Sequence, residues 1–180
     1  MAAQQTTVSS RMALALAGQL ADSNRKNNCD AKTSAEASAE IPFGVAVVRH
    51  SSDEDNLVVK AHTSAAASAP LFAGIVVHNH AYVRTIELGD TGLKPKVTMD
   101  VLQNGRIYVF PEDAVDPGDP VRFRAVVVGA EVAGAFRTAA DSTDCVNISS
   151  FARWITSGSS TVPAVLEIDM AGASLAVADT

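Results

Sequence analysis

The stretch KVTMDVLQNGRIYVF, residues 96 to 110, joins two β-rich runs through a dipeptide that is typical of a tight turn. Asn104 and Gly105 can both take a positive φ, which a two-residue hairpin turn requires. The pattern therefore predicts that MDVLQ and RIYVF are antiparallel partners, with the chain reversing at Asn104 and Gly105.

Similar short β-rich runs follow one another from Ile41 onward. They are PFGVAVVRH, NLVVKAH, FAGIVVHNHAYV, DPVRFRAVVV, EVAGAF, VNISSFARWIT and AVLEIDM. Turn residues such as Pro117, Gly118 and Pro120 separate them, and no helical periodicity is sustained after residue 41. Regularly spaced short strands are the signature of a sandwich or a barrel. We therefore predict an all-β domain over residues 41–180.

The run VRFRAVV shows the clearest alternation of apolar and charged residues. Val121, Phe123 and Ala125 are predicted to face inward, and Arg122 and Arg124 outward.

We also predict that the acidic side chains of one strand and two turns face solvent. In VLEIDM, Glu167 and Asp169 are expected to face away from Leu166. The acids of SSDEDN (51–56) and PEDAVD (111–116) lie in predicted turn tips. We interpret them as solvated loop charges rather than a catalytic carboxylate pair.

Residues 1–40 differ from the rest of the chain in composition. They carry four basic and four acidic side chains, so the whole net charge of −6 falls on residues 41–180. Their apolar residues concentrate at Met12, Leu14, Leu16 and Leu20. Three readings are compatible with this pattern: a short helix, a first strand of the domain's own sheet, or an arm that becomes ordered on a neighbouring subunit.

The stretch IVVHNHAYV, residues 75 to 83, raises the question of a metal site. His78 and His80 would share one face of a strand, and their spacing resembles the first motif of the cupins. A catalytic metal usually takes three protein ligands, but no histidine follows His80. His50 and His62 precede the pair in polar segments that we interpret as turns. A cupin-like metal- or sugar-binding barrel remains the alternative to a structural strand.

No local context selects a catalytic group. The serine-rich SGSST at 157–161 lacks a nucleophile-elbow pattern, and Trp154 is expected to fill a core or an interface. Cys29 and Cys145 are isolated thiols outside any metal-binding spacing. We therefore predict no enzyme activity and no cofactor.

Composition excludes two classes of partner. The net charge of −6 and the pI of about 5.1 argue against a protein that binds by neutralising phosphates, so we expect no nucleic-acid partner. No apolar run approaches the roughly 18 residues of a membrane span, so we expect no membrane partner.

Several phrases, taken in order along nearly the whole chain, resemble the structural cement proteins of tailed bacteriophages. They are ALAGQLADSN, IPFGVAVVR, FAGIVVHNHAY, ELGDTGLKPKVTMDVLQNGRIYV, the PGDPV turn and FARWITSGSSTVPAVLEIDM. The polar segment 27–40, which precedes PFGVAVV, departs from this pattern.

The resemblance implies a jelly-roll-like β-sandwich or barrel over 41–180, preceded by an N-terminal arm, 1–40, that is extended or partly helical. It implies a homo-oligomer, dimer or trimer, that is made in the host cytoplasm. The protein would bind the outer surface of the expanded capsid and bridge neighbouring major capsid proteins. The candidate capsid or subunit interface residues are Met12, Leu14, Leu16, Leu20 and Phe43.

Overall fold

The protein folds into strands and turns, and the described residues contain no α-helix. The computed structural model describes residues 15–22, 27–37, 39–50, 53–59 (53–56 by backbone only), 71–79, 92–126, 129, 131–141 and 144–171. The strands are β1 (Asn28–Ser34), β2 (Ile41–Pro42), β3 (Ala46–His50), β4 (Asp53–Val59), β5 (Phe72–Val76), β6 (Gly92–Leu93), β7 (Thr98–Val109), β8 (Arg122–Arg124), β9 (Phe136–Arg137), β10 (Cys145–Asn147), β11 (Ala152–Trp154) and β12 (Ala164–Asp169). The predicted all-β architecture is confirmed.

Five strands close into a barrel. The largest sheet has the order β1-β4-β3-β5-β7-β12-β11, and β1 also pairs with β7. That additional pairing closes the ring β1-β4-β3-β5-β7, and β12 and β11 extend the sheet beyond it. All these pairings are antiparallel except that of β1 with β4, which is parallel. Each ring strand therefore has a neighbour on both edges.

Strands β3, β5 and β7 are buried on both faces, because each contributes to two separate apolar clusters. One cluster fills the ring and includes Val47, Val76 and Val101. The other lies outside the ring and includes Val48 and Ile75. Strands buried on both faces read as nearly continuous apolar runs, which explains PFGVAVV and FAGIVV.

The outer cluster is covered by a second sheet of three strands in the order β10-β8-β9. Phe123 of β8, Phe136 of β9 and Val146 of β10 pack in this cluster together with Trp154 of β11 and Leu166 of β12. The molecule is thus a barrel with a second layer packed against its outer wall.

The predicted hairpin at Asn104 and Gly105 is wrong. Residues 98–109 form one continuous strand of 12 residues, β7. Its first half pairs with β1 on one edge and with β5 on the other, and its second half pairs with β12. Asn104 is opposite both Asn28 and Asp169, so β1 and β12 flank β7 from opposite sides. The partners of MDVLQ and RIYVF are therefore distant segments rather than each other.

Three hydrogen bonds show that β7 is nevertheless bent. The amide of Val77 donates to the carbonyl of Asp100 (2.9 Å), that of His78 to Gly18 (2.8 Å), and that of Gly18 to Tyr108 (2.8 Å). This path from Asp100 to Tyr108 spans at most roughly 16 Å. An extended strand would separate the same two positions by about 26 Å. The strand must therefore change direction between them.

Gly105 provides the backbone freedom for this bend. Its φ is +137°, and a Cβ at this position would overlap the Oδ1 of Asn27. The register between β1 and β7 shifts close by, between Asn28 and Cys29. An Asn-Gly dipeptide thus reorients the chain as its composition indicates, but as a bend within a strand rather than as a turn between two strands.

Part of the segment predicted as an N-terminal arm belongs to the barrel. Residues Asn28–Ser34 form β1, the strand that closes the ring, although no strand was predicted for this polar segment. Residues 15–22 also lie along the barrel, where Leu20 bridges to Ile107. The prediction of an arm therefore stays a prediction for residues 1–14, which lie outside the described residues.

Two strand residues that were predicted to face solvent, Arg124 and Glu167, are buried instead. Val121, Phe123 and Ala125 are buried as predicted, but Arg124, predicted to face outward, is also buried. Glu167 is buried too, because Arg153 and Arg106 cover it (2.7 and 3.5 Å). The last four residues of SSDEDN begin strand β4 rather than forming a turn.

A substitution at Gly105 tests the bend. Gly118 has a similarly positive φ, +102°, but a Cβ there would have no atom within 4 Å. Alanine at either position meets the same kind of backbone strain, and only at Gly105 does it also overlap a neighbour. We expect Gly105→Ala to lower the free energy of unfolding by about 1–3 kcal/mol more than Gly118→Ala does, measured by chemical denaturation. Equal losses would show that β7 does not need glycine at this position.

Candidate functional site

The predicted interface residues lie in different environments. Met12 and Leu14 are outside the described residues, and Leu16 is 46% exposed. Leu20 is partly buried against the outer cluster, and Phe43 is buried inside the ring. Of the described residues in this set, only Leu16 offers an apolar side chain to a partner.

Leu16 begins a tight turn that holds the chain against one end of the barrel. The amide of Gln19 donates to the carbonyl of Leu16 (3.1 Å), and Gly18 has a φ of +77°. Gly18 also accepts a hydrogen bond from His78 and lies against Gly44, so that a Cβ on Gly18 would come within 2.8 Å of the His78 nitrogen and 2.9 Å of the Gly44 nitrogen. This glycine junction fixes the backbone around Gly18 against the barrel.

His78 belongs to the same junction rather than to a strand. Strand β5 ends at Val76, and the imidazole of His78 packs against the ring of Phe43, with 4.6 Å between centroids. His80 and His62 lie outside the described residues. Among the residues that the structure describes, no group of three or more His, Cys, Asp or Glu side chains could hold a metal ion.

Substitutions at His78 separate packing from metal binding. His78→Ala removes the contact with Phe43, and we expect a loss of about 0.5–1.5 kcal/mol in unfolding free energy. His78→Phe keeps an aromatic ring there and should recover most of it. A chelator should leave the melting temperature of the wild-type protein unchanged. If both variants lost a bound metal ion and stability together, His78 would be a ligand.

A network of ion pairs joins the second sheet to its loops. Glu112 accepts two hydrogen bonds from Arg124, at Nε (3.0 Å) and Nη2 (2.8 Å). Arg124 Nη1 contacts Glu131 (2.8 Å) and Asp141 (3.0 Å), and Arg137 also contacts Asp141 (2.9 Å). The side chain of Arg124 is only 3% exposed. A buried guanidinium with several carboxylate partners holds these loops in place against the second sheet.

The acids of PEDAVD are therefore not all solvated loop charges. Glu112 is paired with Arg124, and the carboxylate of Asp113 accepts hydrogen bonds from the amides of Thr138 and Ala139 (3.0 Å each). The hydrogen bond to Glu112 raises the pKa of Arg124 above its usual range. The hydrogen bond from Arg124 lowers the pKa of Asp141.

This network predicts how stability depends on pH. Because the pKa of Asp141 is lowered in the folded protein, its contribution is present above the ordinary aspartate pKa of about 3.9 and is lost as pH falls through the lower folded value. Thermal melts should show wild type more stable than Asp141→Asn at neutral pH, with the difference vanishing in acid. Asp116→Asn controls for the loss of one negative charge. If the difference in melting temperature between wild type and Asp141→Asn did not change with pH, the lowered pKa of Asp141 would be contradicted.

Other candidate residues have structural positions. Trp154 is buried, and its indole N–H donates to the carbonyl of Pro120 (3.2 Å). The SGSST segment forms a turn in which Ser159 bridges to Val162. Cys29 and Cys145 are both free thiols. No helix among the described residues is long and apolar enough to cross a membrane.

Comparison with known proteins gives a consistent result. Residues 4–171 match the family described as structural cement protein (E217 gp24/Pam3 gp6). A solved structure titled "The capsid of Myoviridae Phage XM1" contains a chain with a similar fold, with a TM-score of 0.64 at 18% identity. The similarity covers 94% of this chain and 98% of that one. No curated protein sequence matches the chain. Since the family match spans most of its length, the chain belongs to the structural cement protein family of bacteriophages.

Proposed function

We propose that the protein binds the outer surface of the phage capsid and bridges neighbouring major capsid proteins, which stabilises the expanded shell. The observation that carries this proposal is the family match over residues 4–171, since a cement protein is a structural component of the capsid. In this role the protein works through contact area and performs no catalysis. It acts in the virion after synthesis in the host cytoplasm.

The barrel is well suited to such a role. The pairing of β1 with β7 closes the ring, so the ring strands offer no open edge for uncontrolled pairing with other copies. The Arg124 network fixes the second sheet to its loops. A rigid body loses little conformational freedom on binding, and specific interfaces of roughly 1,200–2,000 Å² in total are stable. Many symmetric copies on one shell would strengthen the attachment further through avidity.

Residues 1–14, rather than 1–40, are the segment that we propose as the interacting arm. Residues 15–22 and β1 are in contact with the barrel, so the proposed arm would comprise the residues that precede Ala15. Met12 and Leu14 are the apolar residues of the arm nearest to this point. Together with exposed Leu16 they would be buried against a neighbouring subunit, either a major capsid protein or another copy in a dimer or trimer.

Two variants test the proposed contact without removing a barrel strand. One deletes residues 1–14, and the other is Leu16→Ser. Burying a leucine is worth roughly 1.5–3 kcal/mol, so Leu16→Ser should weaken binding to stripped capsids by about 10- to 100-fold, measured by co-sedimentation. The melting temperatures should change little, because exposed side chains contribute little to folding.

Val132→Ser is the matched control, because Val132 is similarly exposed (42%) but lies on the loop before β9. It should bind capsids as the wild type does. If the deletion variant and Leu16→Ser also decorated capsids as tightly as the wild type, the arm would be dispensable. If the wild type itself failed to bind capsids, the proposed function would be wrong.

A further inference from the structure

The large sheet extends beyond the barrel ring as three strands, the second half of β7 with β12 and β11. One face of this extension packs on the outer cluster through Ile107, Leu166 and Trp154. Because side chains alternate along a strand, the residues between them point to the opposite side. These residues, which we call the β12 face, are Arg106, Tyr108, Phe110, Arg153, Ile155, Val165, Glu167 and Asp169.

One half of the β12 face is apolar. Val165 is opposite Tyr108 of β7, and on its other side the amide of Ile155 donates to the carbonyl of Val165 (2.8 Å). Phe110 lies two residues beyond Tyr108 and is 37% exposed. Neighbouring apolar side chains that remain exposed in this way mark a contact surface.

The other half of the β12 face holds two arginines around one buried carboxylate. Glu167 is opposite Arg106 on one side and Arg153 on the other. Its Oε2 accepts a hydrogen bond from Nε of Arg153 (2.8 Å) and lies 2.7 Å from Nη2 of Arg153 and 3.5 Å from Nη2 of Arg106. The Nε of Arg106 is buried and has no hydrogen-bond acceptor within the described part of the chain. Two guanidinium groups on one carboxylate leave a local excess of positive charge, which favours a further carboxylate here.

Asp169 provides such a carboxylate on the same face. It is exposed and lies two residues beyond Glu167 on β12, opposite Asn104. It lines an open cavity of about 420 Å³ together with Arg153 and Glu167. The β12 face thus carries two positive and two negative side chains, and the whole net charge of −6 lies on the rest of the chain. Two copies can therefore approach through this face without repulsion between like-charged surfaces.

We propose that the β12 face binds a second copy of this chain about a two-fold axis. An axis that crosses the strands between Glu167 and Asp169 places Asp169 of each copy between Arg106 and Arg153 of the other. The same axis brings the apolar half of each copy over the cavity of the other, whose lining includes Phe151 and Ala171. This pairing does not require the capsid, so it and the proposed function can fail independently.

Sedimentation velocity of the full-length protein over a concentration series, without capsids, tests the pairing. We expect a reversible equilibrium between monomer and dimer for the wild type. Asp169→Lys should weaken the dimer by at least about tenfold, because the lysine would face the arginines of the other copy. Asp116→Lys is the matched control, because Asp116 is also exposed, lies outside the β12 face and changes the net charge equally. This control should associate as the wild type does.

A mixture of two charge-reversed variants tests the contact most sharply. Arg153→Glu alone should also weaken the dimer, because the glutamate would face Asp169 of the other copy. When Arg153→Glu is mixed with Asp169→Lys, each new lysine meets a new glutamate, and the unchanged Asp169 of one variant meets the unchanged Arg153 of the other. We therefore expect the mixture to form a dimer that neither variant forms as tightly alone.

Several results would overturn the pairing. They are a wild type that stays monomeric throughout the series or forms a trimer, equal dissociation constants for Asp169→Lys and Asp116→Lys, and a mixture that associates no more tightly than its two components. If Arg153→Glu does not fold, the wild type, Asp169→Lys and Phe110→Ser decide the question. Phe110→Ser should weaken the dimer by about tenfold, because it removes an exposed aromatic side chain from the apolar half of the face.

Discussion

The structure depends on one strand, β7, that pairs on both edges and bends in the middle. Its first half closes the barrel through β1 and β5, and its second half carries β12 and, through it, β11. The Asp100 and Tyr108 ends of the strand approach each other through the Gly18 junction, which an unbent strand would not allow. A single residue without a side chain, Gly105, lies within the bend.

This bend also determines the position of residues at the protein surface. Because the second half of β7 turns away from the ring, residues 15–22 can lie along it and end in the junction with His78 and Gly44. That junction places exposed Leu16 at one end of the barrel. The proposed arm thus begins at a point determined by the core of the protein.

The sequence predicted the strands well, because strand formation depends on local patterns of apolar and turn residues. The predictions were wrong where a strand or a side chain pairs with residues that are far away in the chain. Asn104 and Gly105 have the composition of a hairpin turn, but β1 and β12 compete successfully for both edges of the strand. Arg124 alternates with Phe123 as expected, yet the face that it occupies is covered by Glu112 and other acids from separate loops.

The polar composition of β1 also gave no indication that this segment is a strand of the barrel. NCDAKTS has few apolar residues, and its pairing rests on backbone hydrogen bonds that a hydropathy pattern does not show. The inward position of Lys32 could be recognised only from its register with Met99. In contrast, membership of the cement family was recognisable from the order of whole phrases along the chain, which does not require knowledge of strand pairing.

We propose that this barrel attaches to the outside of the capsid and spans more than one capsid subunit. A cryo-EM reconstruction of capsids decorated with the purified protein tests it most directly. We expect density for the barrel on the outer surface, at the boundary between neighbouring major capsid proteins, with the Leu16 end directed toward the shell. Density on the inner surface, or contact confined to a single capsid subunit, would contradict the claim.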